Sequence, residues 1–339
     1  MASKESYAIK VGERILVTGA NSFVGSNVVD FLLSLGYIVR GTVRSERPWL
    51  EEIFESKYGT GRFELAIVPS LDDNKALAVA LIGVSGVVHV KQQASDVTFG
   101  TDPNKIIPPV VAATEAILKA SSEASSVKRV VLTSSSTAAT VLEEGQGSRV
   151  VDQDTWNDAA IKAAWDENTP ADRKALMIYA ASKTEGERAA FNWVKKNKPG
   201  FVFNSIGDVL HPNIGSSGRL TVQLLEGNEA IMSLIVSQHF IDAKDLARLH
   251  AIALLDPSVQ SERILGLAVP YTWKELVDTL RELRPSSGKL VKNVPAVREG
   301  YVQLLPIKRS EELLSSFFGQ SSWTNLRDSL NAGITSMGL

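Results

Sequence analysis

The sequence alternates short apolar, β-rich segments with helical segments from its N-terminal region to about Gly207. The apolar segments are RILVTG (14–19), YIVRGTV (37–43), FELAIV (63–68), GVVHV (86–90), RVVLTSS (129–135) and FVFNSIG (201–207). Strands that alternate with helices in this way form βαβ units, whose strands are parallel and whose crossovers are right-handed. The sequence therefore predicts an α/β fold around a doubly wound parallel sheet.

The first apolar segment continues into a turn and a helix, ILVTGANSFVG at residues 15–25. In the Rossmann arrangement such a turn lets a pyrophosphate approach the backbone N–H groups at the helix N-terminus. We therefore predict a Rossmann-type dinucleotide site. Its predicted contacts are Gly19, Asn21, Ser22, Phe23, Val24 and Gly25.

The strand and helix alternation weakens after residue 207, and helical segments such as TWKELVDTLREL and SWTNLRDSL follow. We predict a dinucleotide-binding domain at residues 1–207, to which the amphipathic segment 239–256 returns. Residues 208–238 and 257–339 are predicted to form a smaller C-terminal, substrate-binding lobe.

Composition excludes several classes of protein. Charged residues make up 22% of the chain and the formal net charge is −2, with Lys and Arg scattered, so we expect no nucleic-acid partner. No apolar run approaches the roughly 20 residues that span a bilayer, and the N-terminus has no signal-peptide pattern, so we expect no membrane association and a cytoplasmic location. The absence of cysteine excludes a thiolate nucleophile and a Cys-ligated zinc site, and we expect no metal. A monomer and a homodimer both remain open.

The end of the second strand, RGTVRS at 40–45, bears on which cofactor binds. An acidic residue there would bind the ribose hydroxyl of NAD, whereas Arg44 can pair with the 2′-phosphate of NADP. NADP(H) is therefore the predicted cofactor. The alternative is that Arg44 and Arg47 only solvate a surface loop.

Three residues predict the chemistry. Tyr179 and Lys183 are four residues apart and so share one helical face, and Ser135 ends the strand RVVLTSS, where doubly wound sheets bind ligands. A tyrosine with a neighbouring ammonium and a serine hydroxyl can protonate and polarise a carbonyl. We predict Ser135, Tyr179 and Lys183 as the catalytic residues.

These motifs resemble those of the extended short-chain dehydrogenases/reductases. The chain is most similar to their dihydroflavonol-reductase-like group, which includes yeast and fungal NADPH-dependent aldehyde and ketone reductases. The similarity extends over nearly the whole chain, through ILVTGAN, VKRVVLTSSSTAA, YAASKTEGE and HFIDAKDLARLH. It implies that Ser135 polarises the carbonyl and Tyr179 delivers the proton. It also implies that Lys183 binds the nicotinamide ribose and lowers the pKa of Tyr179, and that the substrate is a small hydrophobic carbonyl compound.

The chain departs from these relatives at four segments that contact the cofactor there. Ser22 replaces a glycine, which would be strained if the position needs a positive φ. Ser70 replaces an adenine-binding aspartate for which Asp72 or Asp73 could substitute, and Gly207 with Asp208 replaces an apolar residue and a proline, bringing a carboxylate near the phosphates. The fourth departure is an apparent insertion at residues 91–93, next to the nicotinamide ribose.

The departures leave three hypotheses open. The first is NADPH-dependent reduction of an aldehyde or ketone. The second is a redox-silent enzyme that uses Tyr179 and Lys183 as an acid–base pair for isomerisation, cyclisation, dehydration or retro-aldol chemistry. The third is a non-enzymatic dinucleotide sensor.

Four further side chains are candidates for a role in the site. His211 is expected to be a structural loop residue rather than an acid–base group, and His89 a satisfied core residue. Trp156 and Trp165, both in the long segment 141–174, are expected either to roof a hydrophobic pocket or to pack that segment on the core.

Overall fold

The computed structural model describes residues 4–90, 100–141, 151–208, 218–230, 232, 239–294 and 307–336. Within these ranges the main sheet is parallel and has the strand order β3-β2-β1-β4-β5-β6-β8. Its strands are β1 (Arg14–Thr18), β2 (Ile38–Val43), β3 (Phe63–Ile67), β4 (Val84–His89), β5 (Arg129–Ser135), β6 (Val202–Asp208) and β8 (Arg263–Leu265). Two short strands, β7 (His239–Phe240) and β9 (Val269–Pro270), form a separate antiparallel pair. The predicted Rossmann-type α/β fold is confirmed.

Helices cover both faces of the sheet. They are α1 (Phe23–Leu35), α2 (Pro48–Tyr58), α3 (Asn74–Ala80), α4 (Ile107–Glu123), α5 (Asp158–Trp165), α6 (Ala171–Asn197), α7 (Gly218–Leu225), α8 (Ala243–Leu255), α9 (Trp273–Leu283), α10 (Ile307–Phe318) and α11 (Leu326–Ser336). Local sequence signals set several of their ends. Helix α1 ends at Gly36, whose φ of 103° suits a left-handed C-cap, and α9 begins with a capping box made by Thr272 and Glu275.

The core has two layers because the strand residues alternate between the two faces of the sheet. Ile15 and Val17 of β1 pack in the layer that holds α1, α8 and α10. Leu16 points to the opposite layer, which holds α3, α4 and part of α6. Both faces of these strands are therefore buried, as expected for parallel strands covered by helices on each side.

Strand order places the site. Because the chain leaves β1 for β2 on one side and β4 lies on the other, a crevice opens at the carboxyl ends of β1 and β4. The turn after β1, the end of β5 and the end of β6 lie along this same carboxyl edge.

The C-terminal part of the chain contributes both to a separate apolar cluster and to the main sheet with its core. Tyr271, Trp273 and Leu276 belong to a separate apolar cluster shared by α7, α9 and α11, which suits a smaller lobe. However, β8 is a strand of the main sheet and α10 packs on its core, although both lie within the range 257–339. The sequence did not predict β8, because a strand of only three residues is too short to give a recognisable apolar pattern. The two-domain division itself stays a prediction.

Candidate active site

The turn between β1 and α1 is compact around two glycines. Gly19 has a φ of 65°, in the left-handed region that favours glycine. A Cβ atom added to Gly25 would lie 2.2 Å from the backbone oxygen of Gly19, so no larger residue fits there without moving the turn. The two positions keep the backbone tight where a pyrophosphate would approach the first turn of α1.

Ser22 is not strained. Its φ of −81° and ψ of 162° are extended, and it serves as the N-cap of α1, with its hydroxyl oxygen accepting a hydrogen bond from the N–H of Gly25 at 3.1 Å. Strain at this serine was expected only if the position needs a positive φ, and the extended backbone of Ser22 does not meet that condition. The physical reason is that serine is among the best residues for an N-cap, which has extended backbone angles.

A small cleft continues from this turn along the ends of β2 and β3. It is lined by Thr18, Gly19, Asn21, Thr42, Val43, Arg44, Arg47, Val68, Pro69, Ser70 and Leu71. Gly19, Asn21 and Arg44 were predicted as cofactor contacts, whereas Thr42 was missed, although its hydroxyl accepts a hydrogen bond from the N–H of Gly19. Such a threonine gives no local sequence signal, because only the β1–β2 pairing brings it beneath the turn.

The acidic residues next to Ser70 do not line this cleft. The carboxylate of Asp73 caps α3 by accepting from the N–H groups of Lys75 and Ala76, at 3.1 and 3.0 Å. Asp73 is therefore committed to helix capping, and the cleft presents Ser70 itself.

The three predicted catalytic residues come together at the carboxyl edge. Ser135 ends β5 with 2% of its surface exposed, and its side chain is hydrogen-bonded to that of Tyr179 on α6. The Nζ atom of Lys183 lies 5.7 Å from the centroid of the Tyr179 ring, one helical turn away. Tyr179 and Lys183 thus share one face of α6, as their i, i+4 spacing predicts.

The electrostatics of Tyr179 are dominated by burial. Burial raises the pKa of Tyr179 to about 12, the hydrogen bond from Ser135 acts in the lowering direction, and the Asp208 carboxylate raises the pKa. The net pKa therefore differs from the lowering by Lys183 that the family resemblance implies, because burial and the Asp208 carboxylate together disfavour a phenolate more than the Ser135 hydrogen bond favours it.

Lys183 shows the opposite shift for the same reason. Burial lowers the pKa of Lys183 to about 8, while the carboxylates of Asp208 and Glu187 act to raise it. At pH 7 about nine-tenths of such an amine carries its proton. The lysine is therefore still largely a cation beside the tyrosine.

Asp208 lies beside the catalytic pair. It ends β6, directly opposite Ser135 in the β5–β6 register, and is 7% exposed. Its charge acts on Tyr179, on Lys183 and on the buried His250 of α8. The expectation that this carboxylate approaches the phosphates is corrected, because the register places it at the Ser135 end of the edge.

A buried ion pair lies behind the lysine. Glu187, one turn after Lys183 on α6 and fully buried, accepts a hydrogen bond from the Ser205 hydroxyl at 2.5 Å and pairs with Nε of Arg263 at 3.0 Å. The Arg263 guanidinium also lies 4.0 Å above the ring of Trp156. Trp156 also lines a pocket together with Phe191 and Leu265, so both roles considered for it stay predictions, whereas Trp165 is 43% exposed.

His89, buried near the edge, is neutral. Burial lowers the pKa of His89 to about 3, with Lys183 adding to the effect, and its Nδ1 bonds the Thr18 hydroxyl at 2.9 Å. Its Nε2 has no hydrogen-bond partner among the described residues, so His89 is only half satisfied. Residues 91–93 and His211, both singled out from the sequence, lie outside the described residues.

Within the described ranges, no cluster of three or more His, Asp or Glu side chains is arranged to hold a metal ion. No described helix combines the length and apolarity needed to cross a membrane.

The comparisons with known proteins decide the family. The profile of the NAD dependent epimerase/dehydratase family matches residues 15–266. The chain is 42% identical over 338 residues to the ketoreductase nvfG of Aspergillus novofumigatus, covering 97% of this chain and 98% of that one. It belongs to this family of extended short-chain dehydrogenases/reductases.

Other members of the family agree in sequence and in fold. Aldehyde reductase 2 of Sporidiobolus salmonicolor is 33% identical over 344 residues, covering 97% of both chains. The solved structure of yeast methylglyoxal/isovaleraldehyde reductase Gre2, complexed with NADPH, superposes with a TM-score of 0.77 at 22% identity, covering 96% of this chain and 98% of that one. The resemblance drawn from the motifs is thus confirmed.

Family membership makes the protein an oxidoreductase of the short-chain dehydrogenase/reductase type and indicates that it binds a nicotinamide cofactor. The residues present fit such a dinucleotide. The glycine turn leaves no room for a Cβ at Gly25, and the cleft beyond it has Arg44 at its rim. The four departures in sequence do not remove these two features.

Proposed function

We propose that this protein reduces the carbonyl group of a small, hydrophobic aldehyde or ketone to an alcohol, with NADPH as the cofactor. The observation that carries the proposal is the meeting of Ser135, Tyr179 and Lys183 at the carboxyl edge of the sheet. Relatives that match nearly the full chain are a ketoreductase and an aldehyde reductase, which supports the same chemistry.

The residues that would hold the cofactor follow from the cleft. Gly19 and Asn21 line the cleft, and Ser22, Phe23, Val24 and Gly25 follow them into the first turn of α1. These six residues would hold the pyrophosphate, and Lys183 would contact the nicotinamide ribose. Arg44, exposed at the end of β2, supplies a guanidinium for a 2′-phosphate, which favours NADPH over NADH. When bound, the nicotinamide supplies a hydride to the carbonyl carbon.

The protein's own groups manage the proton. Because the pKa of Tyr179 is about 12, its phenol is protonated at neutral pH and can donate to the carbonyl oxygen. The Ser135 hydroxyl donates a hydrogen bond to the same oxygen and so stabilises the charge that develops there. The Lys183 ammonium, beside the phenol, stabilises the phenolate left after proton transfer.

The redox-silent alternative is less favoured. That alternative rests on sequence departures that were expected to weaken cofactor binding. One of them, Ser22 in the phosphate turn, has an unstrained backbone, and its hydroxyl caps α1. The non-enzymatic sensor does not need three catalytic side chains gathered at one edge. Both alternatives remain as outcomes of the experiments below.

The first experiment measures cofactor binding by calorimetry with NADPH and NADH. We expect micromolar binding of NADPH and a large loss of affinity in Arg44→Ala. The matched control is Arg281→Ala, which removes an exposed arginine of α9 that pairs with Asp278, away from the cleft. Absence of NADPH binding at millimolar concentration would refute the reductase proposal.

The second experiment follows NADPH oxidation with a panel of aldehydes and ketones. Tyr179→Phe removes the proton donor and should lower kcat by at least about a hundredfold, with cofactor affinity retained. Tyr58→Phe is the control, because the Tyr58 hydroxyl bonds Asp30 between α2 and α1 instead. Binding of NADPH without turnover of any carbonyl compound, in wild type, would favour the sensor.

A further inference from the structure

Thr137 directly contacts the predicted catalytic serine. Its N–H donates to Oγ of Ser135 at 3.3 Å, and its hydroxyl lies 3.0 Å from the same atom. Thr137 is 3% exposed and sits in a short 3₁₀ turn, Ser136–Ala138, for which Ser135 is the N-cap. The serine that ends β5 is thus bonded on one side by the turn that follows it.

The direction of these hydrogen bonds is constrained. A hydroxyl has two acceptor lone pairs and one proton to donate. The N–H of Thr137 can only donate, so it takes one lone pair of Ser135. The Thr137 hydroxyl has no other acceptor among the described residues, so donating to Ser135 is the arrangement that leaves no buried proton unsatisfied.

Once both lone pairs of Ser135 are engaged, its own proton has to point away from the turn. On that side lies Tyr179, to which the Ser135 side chain is hydrogen-bonded. A Ser135 proton that points to that side donates to the phenol oxygen, and such a bond acts to lower the pKa of Tyr179.

Asn157 holds the 3₁₀ turn in place. Nδ2 of Asn157 donates to the carbonyl oxygen of Thr137 at 2.9 Å, and the N–H of Asn157 donates to that of Ala138 at 3.0 Å. Asn157 is 7% exposed and caps α5 through the N–H of Ala160. Asn157 therefore fixes the backbone of the turn that carries the Thr137 hydroxyl.

We propose that Thr137 is a positioning residue, whose hydroxyl donates to Ser135 and thereby directs the Ser135 proton toward the oxygen of the carbonyl undergoing reduction. This role rests on the proposed reductase function, but the hydroxyl orientation exists in the protein without substrate. It can therefore be tested with and without turnover.

The kinetic test compares Thr137→Val, which keeps the shape and loses the hydroxyl, with Thr137→Ser, which keeps the hydroxyl. We expect the valine variant to lose kcat by about fivefold, the effect of one neutral hydrogen bond, with KM and NADPH affinity little changed. The serine variant should recover most of the loss. The matched control is Thr140→Val, because among the described residues the nearby Thr140 hydroxyl reaches only the carbonyl of Val141, at 3.5 Å.

A second readout does not depend on activity. In protein labelled with ¹³C at tyrosine Cζ, the Tyr179 signal is assigned by its loss in Tyr179→Phe. We expect this signal to shift in Thr137→Val, to return in Thr137→Ser and to stay in place in Thr140→Val.

The two readouts separate the possible failures. An unchanged Tyr179 signal in Thr137→Val overturns the positioning role whether or not the enzyme turns over. If the signal moves as expected while wild type reduces no carbonyl compound, the proposed function fails and the orientation of Ser135 stands. Equal kcat losses in the valine and serine variants, or a comparable loss in Thr140→Val, would also overturn the role.

Discussion

Ser22 gives the sharpest test of how this chain accommodates a serine where the family resemblance predicts a glycine. In the structure the side chain caps α1, accepting from the N–H of Gly25 at 3.1 Å, and the backbone is extended. We therefore expect the serine to stabilise the helix and not to obstruct the cofactor. Two substitutions separate these effects, Ser22→Ala and Ser22→Gly.

The expected changes in stability follow from capping energetics. Replacing an N-cap serine by alanine lowers the free energy of unfolding by ~1 kcal/mol, whereas glycine costs only a few tenths. A typical unfolding entropy of about 2.1 cal/mol/K per residue, multiplied by 339 residues, is roughly 0.7 kcal/mol/K. Ser22→Ala should therefore lower the melting temperature by about 1–2 °C, and Ser22→Gly by less.

The assay pairs scanning calorimetry with titration of NADPH. Ser34→Ala is the control for stability, because that hydroxyl donates to the carbonyl of Phe31 near the other end of the same helix. NADPH affinity should change by less than about threefold in Ser22→Gly, since no strain or clash is relieved. A tenfold gain of affinity in that variant, or an unchanged melting temperature in Ser22→Ala, would refute the reasoning.

Three other predictions concern charge in the interior. Asp208→Asn removes a carboxylate that raises the pKa of Lys183, so the pH profile of kcat should move to lower pH, and an unmoved profile would contradict the coupling. Arg263→Met leaves the Glu187 carboxylate buried without its partner, so urea denaturation should report a loss of ~3–5 kcal/mol, much of it recovered when Glu187→Gln is added; a loss under about 1 kcal/mol would argue against a strong pair. The folded pKa of His89 is about 3, below its ordinary 6.5, so the unfolded chain binds more protons below pH 6.5 and stability is lost as the pH falls from there toward 3. At pH 5 the loss is about 2 kcal/mol, and His89→Gln should flatten the dependence between pH 7 and 5, whereas an equal slope in both proteins would rule His89 out as its source.

The sequence by itself determined the features that depend on local periodicity. Short apolar, β-rich segments between helical segments predicted the strands of the main sheet up to β6, and the i, i+4 spacing of Tyr179 and Lys183 placed them on one face of α6. The strand, turn and helix at residues 15–25 were readable because each follows from the conformational preferences of neighbouring residues.

Tertiary structure decided the features that depend on which strands lie side by side. Asp208 faces Ser135 only because β6 pairs with β5 in a particular register, and Glu187 meets Arg263 only because the short β8 joins the sheet edge. The pKa values of Tyr179 and Lys183 likewise depend on how deeply α6 is buried. Contacts between distant segments leave no periodic trace in the sequence, since the free energy that stabilises them comes from desolvation and charge in the assembled interior.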